Sequence, residues 1–189
     1  MRCYACHAWS WEILCQSCQA SLLNPSMHTQ SMGGLDIISF FSYDEIAPLL
    51  HTKHHPQGHR MFTLLGKKVL YPFMEAFAES EERLSLLGID ERVEEGYSHI
   101  ACLTHAMQTH KIRPLHGKLL AQNALHYSGH SRAFREANPR AFEYKGKRGI
   151  EVILVDDIVT TGMTLKEAEA TLNAHGVKVA FALTLAYVG

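Results

Sequence analysis

The residues best suited to chemistry lie in "VILVDDIVTTGMT", residues 152 to 164. Four apolar residues run into the adjacent carboxylates of Asp156 and Asp157. A turn holding Thr160, Thr161, Gly162 and Thr164 follows. Neighbouring carboxylates repel, and burial makes the repulsion worse. Something positive, or something rich in hydroxyls, is expected against them. Gly162 suits a tight turn, and a helix opening behind it would aim its first N–H groups at an anion. The loop therefore prefers a phosphate, and the acids prefer hydroxyl donors or hydrated Mg2+. A sugar with vicinal hydroxyls and a phosphate on its far end satisfies both, which is consistent with a ribose 5-phosphate unit.

The second constellation is "CYACHAWSWEILCQSC", which holds four of the five cysteines. Cys3 and Cys6 are separated by two residues, and so are Cys15 and Cys18. Two such turns bring four sulfurs to tetrahedral geometry, the closed coordination of structural zinc. A segment this short is expected to need its metal to fold. His7 is left out of the ligand set because four thiolates suffice. Trp9 and Trp11 are expected to pack under the metal or to offer a face for base stacking. Cys102, in "HIACL", is expected to be a small buried residue.

The apolar fraction is 47% and the charged fraction 20%, which places the chain among ordinary globular proteins. A net charge of −1 gives no global case for nucleic acid or membrane binding. The charge is unevenly spread, however. Residues 74 to 98 carry eight acids and two bases, and residues 105 to 149 carry nine bases and two acids. The basic stretch is a solvated face or a surface for a polyanion. No run approaches the roughly 18 apolar residues of a membrane span. The opening residues show no apolar signal region, so a cytoplasmic address is expected.

Those groups need elements to hold them. Residues 24 to 34, with Pro25 and the Gly33–Gly34 pair, read as a linker. The division expected is a zinc knuckle and linker over residues 1–30, then one domain over 31–189. Strands are expected at residues 35–43, 97–103, 150–157 and 177–188. Residues 60–88 carry helical spacing with breaks near Gly66 and Pro72. Residues 115–127 read as an amphipathic helix, and 128–149 as an exposed connection. A further helix starts near Thr164, a possible N-cap, and ends before Gly176. Strands alternating with helices predict an α/β fold with a parallel sheet covered on both faces. Ligands in such sheets bind beyond the carboxyl ends of the strands.

"VILVDDIVTTGMT" resembles the fingerprint of the type I phosphoribosyltransferases. That resemblance implies binding of 5-phosphoribosyl-1-pyrophosphate (PRPP) with Mg2+. Asp156 and Asp157 would hold the ribose hydroxyls, and Val159, Thr160, Thr161, Gly162, Met163 and Thr164 would cradle the 5-phosphate. With the four cysteines ahead of it, the chain is similar to the ComF/GntX family and its ComFC-type competence proteins. That likeness implies a role in DNA uptake, single-stranded DNA as a cytosolic partner, and contact with other uptake proteins near the inner membrane. In relatives an early lysine meets the pyrophosphate, and Lys53 is the nearest counterpart. The candidate DNA contacts are Lys111, Arg113, Arg132, Arg135, Arg140, Lys145, Lys147 and Arg148, with Phe134, Phe142 or Tyr144 stacking on bases. The chain departs from the family at "QTHKIRPLHGK", where relatives carry an arginine-dense stretch ending in Gly-Phe-Asn. Binding without turnover and active phosphoribosyl transfer therefore both stay open, as does a zinc-ribbon adaptor with a dead sugar site.

Overall fold

The computed structural model describes residues 1–80, 84–89, 96–123 and 140–189. The centre is strand β7 (Glu151–Val159), whose Val152, Ile153, Leu154 and Val155 are all fully buried. An unbroken aliphatic run of this kind suits a strand covered on both faces. Each such side chain contributes about 1.5–3 kcal/mol on burial. β8 (Lys178–Tyr187) pairs with β7 on one side, and β3 (Ser85–Gly88) pairs with it on the other, both parallel. β2 (Leu35–Ser42) extends the sheet beyond β8, and β4 (Arg113–Pro114) extends it beyond β3. β1 (His28–Met32) closes one edge, antiparallel to β2. The order is β1-β2-β8-β7-β3-β4.

Residues 28–32, read from sequence as linker, are thus an edge strand, turned back by Gly33 and Gly34 at positive φ. Most of β1 is exposed. With no apolar face to show, it carried no strand signal.

Helices cover both faces. One face carries α2 (Tyr43–Leu50), the continuous helical run α3 (Gly58–Leu65) to α4 (Tyr71–Ser80), and α5 (His99–Ala106). The expected breaks at Gly66 and Pro72 appear as one π-helical turn, Gly66–Leu70. Pro72 lacks the N–H that would bond one turn back, and the wider turn carries the helix past it. Residues 97–103, expected as a strand, instead open α5. The Ser98 hydroxyl accepts from the Ala101 N–H, and Ile100, Leu103, Thr104 and Met107 are buried at helical spacing. That period extends beyond residues 97–103.

The other face carries α6 (Met163–Ala174) and a small hairpin of β5 (Leu119–Ala121) and β6 (Phe142–Tyr144). Within the helix expected over residues 115–127, residues 119–121 are instead a strand, entered through Gly117 at φ +63°, and residues 124–127 lie outside the described residues. Leu119 lies opposite Tyr144 and is buried with it and Phe142, while Leu120 lies opposite Glu143. α6 begins two residues earlier than a Thr164 cap implies, because Gly162 is its N-cap.

The cysteine segment packs on the main core. Cys3, Ile13, Leu14 and Leu23 are buried in the same core as Phe40, Leu50 and Met61. α1 (Gln16–Leu22) carries Cys18.

Candidate functional site

Asp156 and Asp157 follow the buried run of β7, beyond the end of β3. Successive residues on a strand point to opposite faces, and the two acids divide accordingly. Asp156 sits in register with Thr184 of β8, and Thr184 with Ser39 of β2. The Ser39 and Thr184 hydroxyls lie 2.7 Å apart. This polar row shares the face on which α6 packs. The Asp156 carboxylate also accepts the Asp157 N–H at 2.9 Å.

Asp157 turns to the α2–α5 face. Its Oδ2 receives Lys53 Nζ at 2.8 Å and lies 3.4 Å from His99 Nε2, and its side chain is only 9% exposed. Burial alone would push this carboxyl up. The Lys53 ammonium and the His99 contact outweigh burial and hold it well below the usual carboxylate range. The positive partner expected for the acid pair is therefore present in the chain itself. Burial lowers the neighbouring His54, and Lys53, His99 and His51 lower it further.

Lys53 is placed by a short 3-10 turn, His51–His54, at the end of α2. Glu45 starts that helix by accepting from the N–H and the hydroxyl of Ser42. The Tyr97 hydroxyl donates to Lys53 O at 3.0 Å, with the carbonyls of Thr52 and His55 at 3.4 and 3.2 Å. Gly58 is required beneath this turn, since a Cβ there would collide with Thr52 O and the Tyr97 hydroxyl. His99 escaped sequence analysis because it lay inside the supposed strand. The available signal was Ser98 acting as a helix cap, which makes His99 the first residue of α5.

On the far side of β7, Thr160 and Thr161 are exposed and Gly162 is buried at φ +67°. Gly162 carries no capping side chain, and Met163 and Thr164 open α6. The first N–H groups of a helix have no acceptor within it, so this turn presents donors beside Asp156. A Cβ on Gly162 would meet Met32 Sδ from the β1 strand. Lys166, one turn along α6, binds Gly33 O at 2.9 Å and fixes the β1–β2 turn against the loop. Gly162→Ala is expected to lose about 2 kcal/mol, from left-handed backbone and the Met32 collision, and so about 4–8 °C in Tm. Thermal melts in wild-type and Met32→Ala backgrounds separate the two causes. An equal loss in both would leave Met32 no part.

The four thiols of Cys3, Cys6, Cys15 and Cys18 place their sulfurs within 4.8 Å of one another. About 3.8 Å separates sulfurs around a tetrahedral ion with bonds of about 2.3 Å, and Cys6 and Cys15 stand 3.6 Å apart. The cluster can hold one metal ion, and four sulfur donors leave no open position on it. Burial pushes the Cys3 thiol up, but the backbone amides of Cys6, Cys15 and Ala5 bring it down to about 6. Hydrogen bonds from Cys6 and Cys15 push Cys18 up to about 12. Trp9 and Trp11 do not pack under this cluster. They are 78% and 100% exposed, with the Arg2 guanidinium 5.5 Å from the Trp9 ring. Cys102 is only partly buried.

Of the basic residues singled out as DNA contacts, Arg132 and Arg135 lie outside the described residues, as does Phe134. Lys111, Arg113, Lys145, Lys147 and Arg148 are exposed, and Arg140 is partly so. Arg113 opens β4 opposite Ser85, and Lys145–Arg148 precede β7. Lys111, Arg113 and Lys145–Arg148 therefore lie toward the amino ends of the strands, whereas the Arg140 N–H donates to Glu167 of α6 at 3.0 Å. Phe142 and Tyr144 face the core and offer no ring for stacking.

A model of the phosphoribosyl transferase domain matches residues 117–188, a span that contains β7, the Gly162 turn and α6. The mixed, mostly parallel α/β fold is phosphoribosyltransferase-like. Among solved structures, the chain is similar to Leishmania donovani UMP synthase, at 14% identity and a TM-score of 0.43, covering 90% of this chain and 30% of that one. Orotate phosphoribosyltransferase from Mycobacterium tuberculosis shares 17% identity at a TM-score of 0.41, covering 89% of this chain and 81% of that one. Adenine phosphoribosyltransferase from Saccharomyces cerevisiae shares 17% at 0.41, covering 89% of each. The chain thus spans under a third of the UMP synthase. No curated protein matches. No helix among the described residues is long and apolar enough to cross a membrane.

Proposed function

We propose that this protein binds PRPP, with Mg2+, at the carboxyl end of β7. The observation that carries this reading is the pairing of an acid row with a left-handed glycine turn at the end of the central parallel strand. Val159 to Thr164 would hold the 5-phosphate through main-chain N–H groups and threonine hydroxyls. The carboxylate of Asp156 would accept from the ribose diol. Lys53 stands on the opposite side of β7, where a cation would meet the pyrophosphate. Mg2+, when bound, would supply charge neutralisation for the pyrophosphate oxygens. Zinc is the ion proposed for the four thiolates, in a structural role.

The test is calorimetric titration with PRPP and Mg2+. Asp156→Ala is expected to weaken binding at least tenfold while thermal stability changes little. Unchanged affinity in that variant would remove the assignment of the diol site.

The biological setting proposed is DNA uptake in natural transformation, as in ComFC-type proteins, at a cytoplasmic site near the inner membrane reached through partners. The exposed Lys111, Arg113, Lys145, Lys147 and Arg148 support single-stranded DNA as a partner, through phosphate contacts that weaken steeply with salt. A working transferase is the second reading, favoured by the Lys53 ammonium and the His99 imidazole beside the acid pair. Release of pyrophosphate from PRPP with a panel of nucleobases would decide for it.

A further inference from the structure

We propose that Asp157 is a positioning residue: it holds Lys53 for the pyrophosphate and leaves the ribose diol to Asp156 alone. This rests on the PRPP reading and departs from a paired-acid diol site. Three observations carry it. The Lys53 and His99 nitrogens both approach one oxygen of Asp157, at 2.8 and 3.4 Å. The carboxylate is nearly buried, so a hydroxyl reaching it would have to displace a charge-assisted bond, the stronger kind. By strand alternation Asp157 also faces away from α6, while Asp156 shares the face of α6 and of the Ser39–Thr184 row. A ribose 5-phosphate spans from diol to phosphate, so the acid in line with the Gly162 turn is Asp156.

The same contact suits Lys53 to an anion. An ammonium has three N–H donors. One reaches Asp157, and the stem is held by a turn that Tyr97 and Thr52 fix from below, since the Thr52 hydroxyl donates to Leu49 O at 2.6 Å. The lysine side chain keeps 25% exposure, so its pair with Asp157 is not sealed from solvent. Without Asp157, Lys53 would stand next to His99 and His54 with no carboxylate between them. It would swing away, and its order would be lost.

The probes are Mg2+-pyrophosphate and ribose 5-phosphate, titrated separately by calorimetry. D157N and K53M are each expected to weaken pyrophosphate about tenfold, the double variant no more than K53M alone. Both should leave ribose 5-phosphate within about twofold of wild type. D156N should show the reverse pattern. D157E, which keeps the charge but moves it by one methylene, should lose about threefold in pyrophosphate, and it keeps the question decidable if D157N does not fold. A loss of ribose 5-phosphate binding in D157N or D157E equal to that in D156N would overturn the proposal. If the wild type binds neither probe, the PRPP reading falls. The positioning role is then read from the rate at which an amine-reactive reagent labels Lys53, followed by mass spectrometry. About fivefold faster labelling in the Asp157 variant supports it, and an unchanged rate overturns it.

Discussion

Replacing Cys15 by Ser is expected to cost this protein about 5 kcal/mol and to drop its Tm by about 10–20 °C. The reason lies in where the thiol cluster is attached. Cys3, Ile13, Leu14 and Leu23 are buried against the helices of the main core. A knuckle that loses its metal has too few residues to stay folded alone, and it would take three aliphatic side chains out of that core. Each is worth about 1.5–3 kcal/mol, and total stabilities are only about 5–15 kcal/mol. Metal content, thermal melts and limited proteolysis of residues 1–23 measure the effect together. Cys102→Ser, outside the cluster, should leave the metal content unchanged. Equal zinc in Cys15→Ser and wild type would rule out four-thiolate binding.

Asp157→Ala should show the second large effect, and it should depend on pH. Truncating one partner of a buried ion pair leaves the other charges uncompensated, at about 3–5 kcal/mol. Lys53 and His99 keep some solvent contact, with side chains 25% and 17% exposed. The lower end of that range is therefore expected, roughly 3 kcal/mol at pH 7. The folded carboxyl lies below its unfolded value of 3.8. Its contribution is therefore complete above that value and is lost as pH falls through it toward the folded value. Urea unfolding of both proteins at pH 7 and pH 2.5 reads this directly. The margin of the wild type over the variant should shrink in acid. A margin of the same size at both values would mean that the carboxylate charge contributes nothing. On the proposed reading Asp157 serves stability and Asp156 the ligand, and an Asp156→Ala, Asp157→Ala double variant would confuse the two.

The fold itself was partly legible in the residues. β7 declared itself through four consecutive buried aliphatics, β8 through a longer apolar run, and α6 through its spacing and the glycine beyond its end. The spacing of Cys3, Cys6, Cys15 and Cys18 foretold their convergence, because a two-residue gap leaves the paired thiols little freedom to diverge. Elements whose signal is tertiary were misread. β1 is a polar edge strand recognisable only from its pairing with β2. β5 is three residues long and is a strand because β6 returns to it. α5 shows its period only when Thr104 and Met107 join the window.

The same division runs through the site. Local chemistry in residues 152 to 164 determined that two acids and a glycine turn meet at a strand end, because neighbours in sequence are neighbours in space. It also predicted something positive, or something rich in hydroxyls, against the acids. Only the tertiary structure decided that this charge is Lys53, brought from 104 positions away in the chain, with His99 beside it. The pleat of β7 sends adjacent side chains to opposite layers, and which residues wait in each layer depends on how α2 and α5 pack.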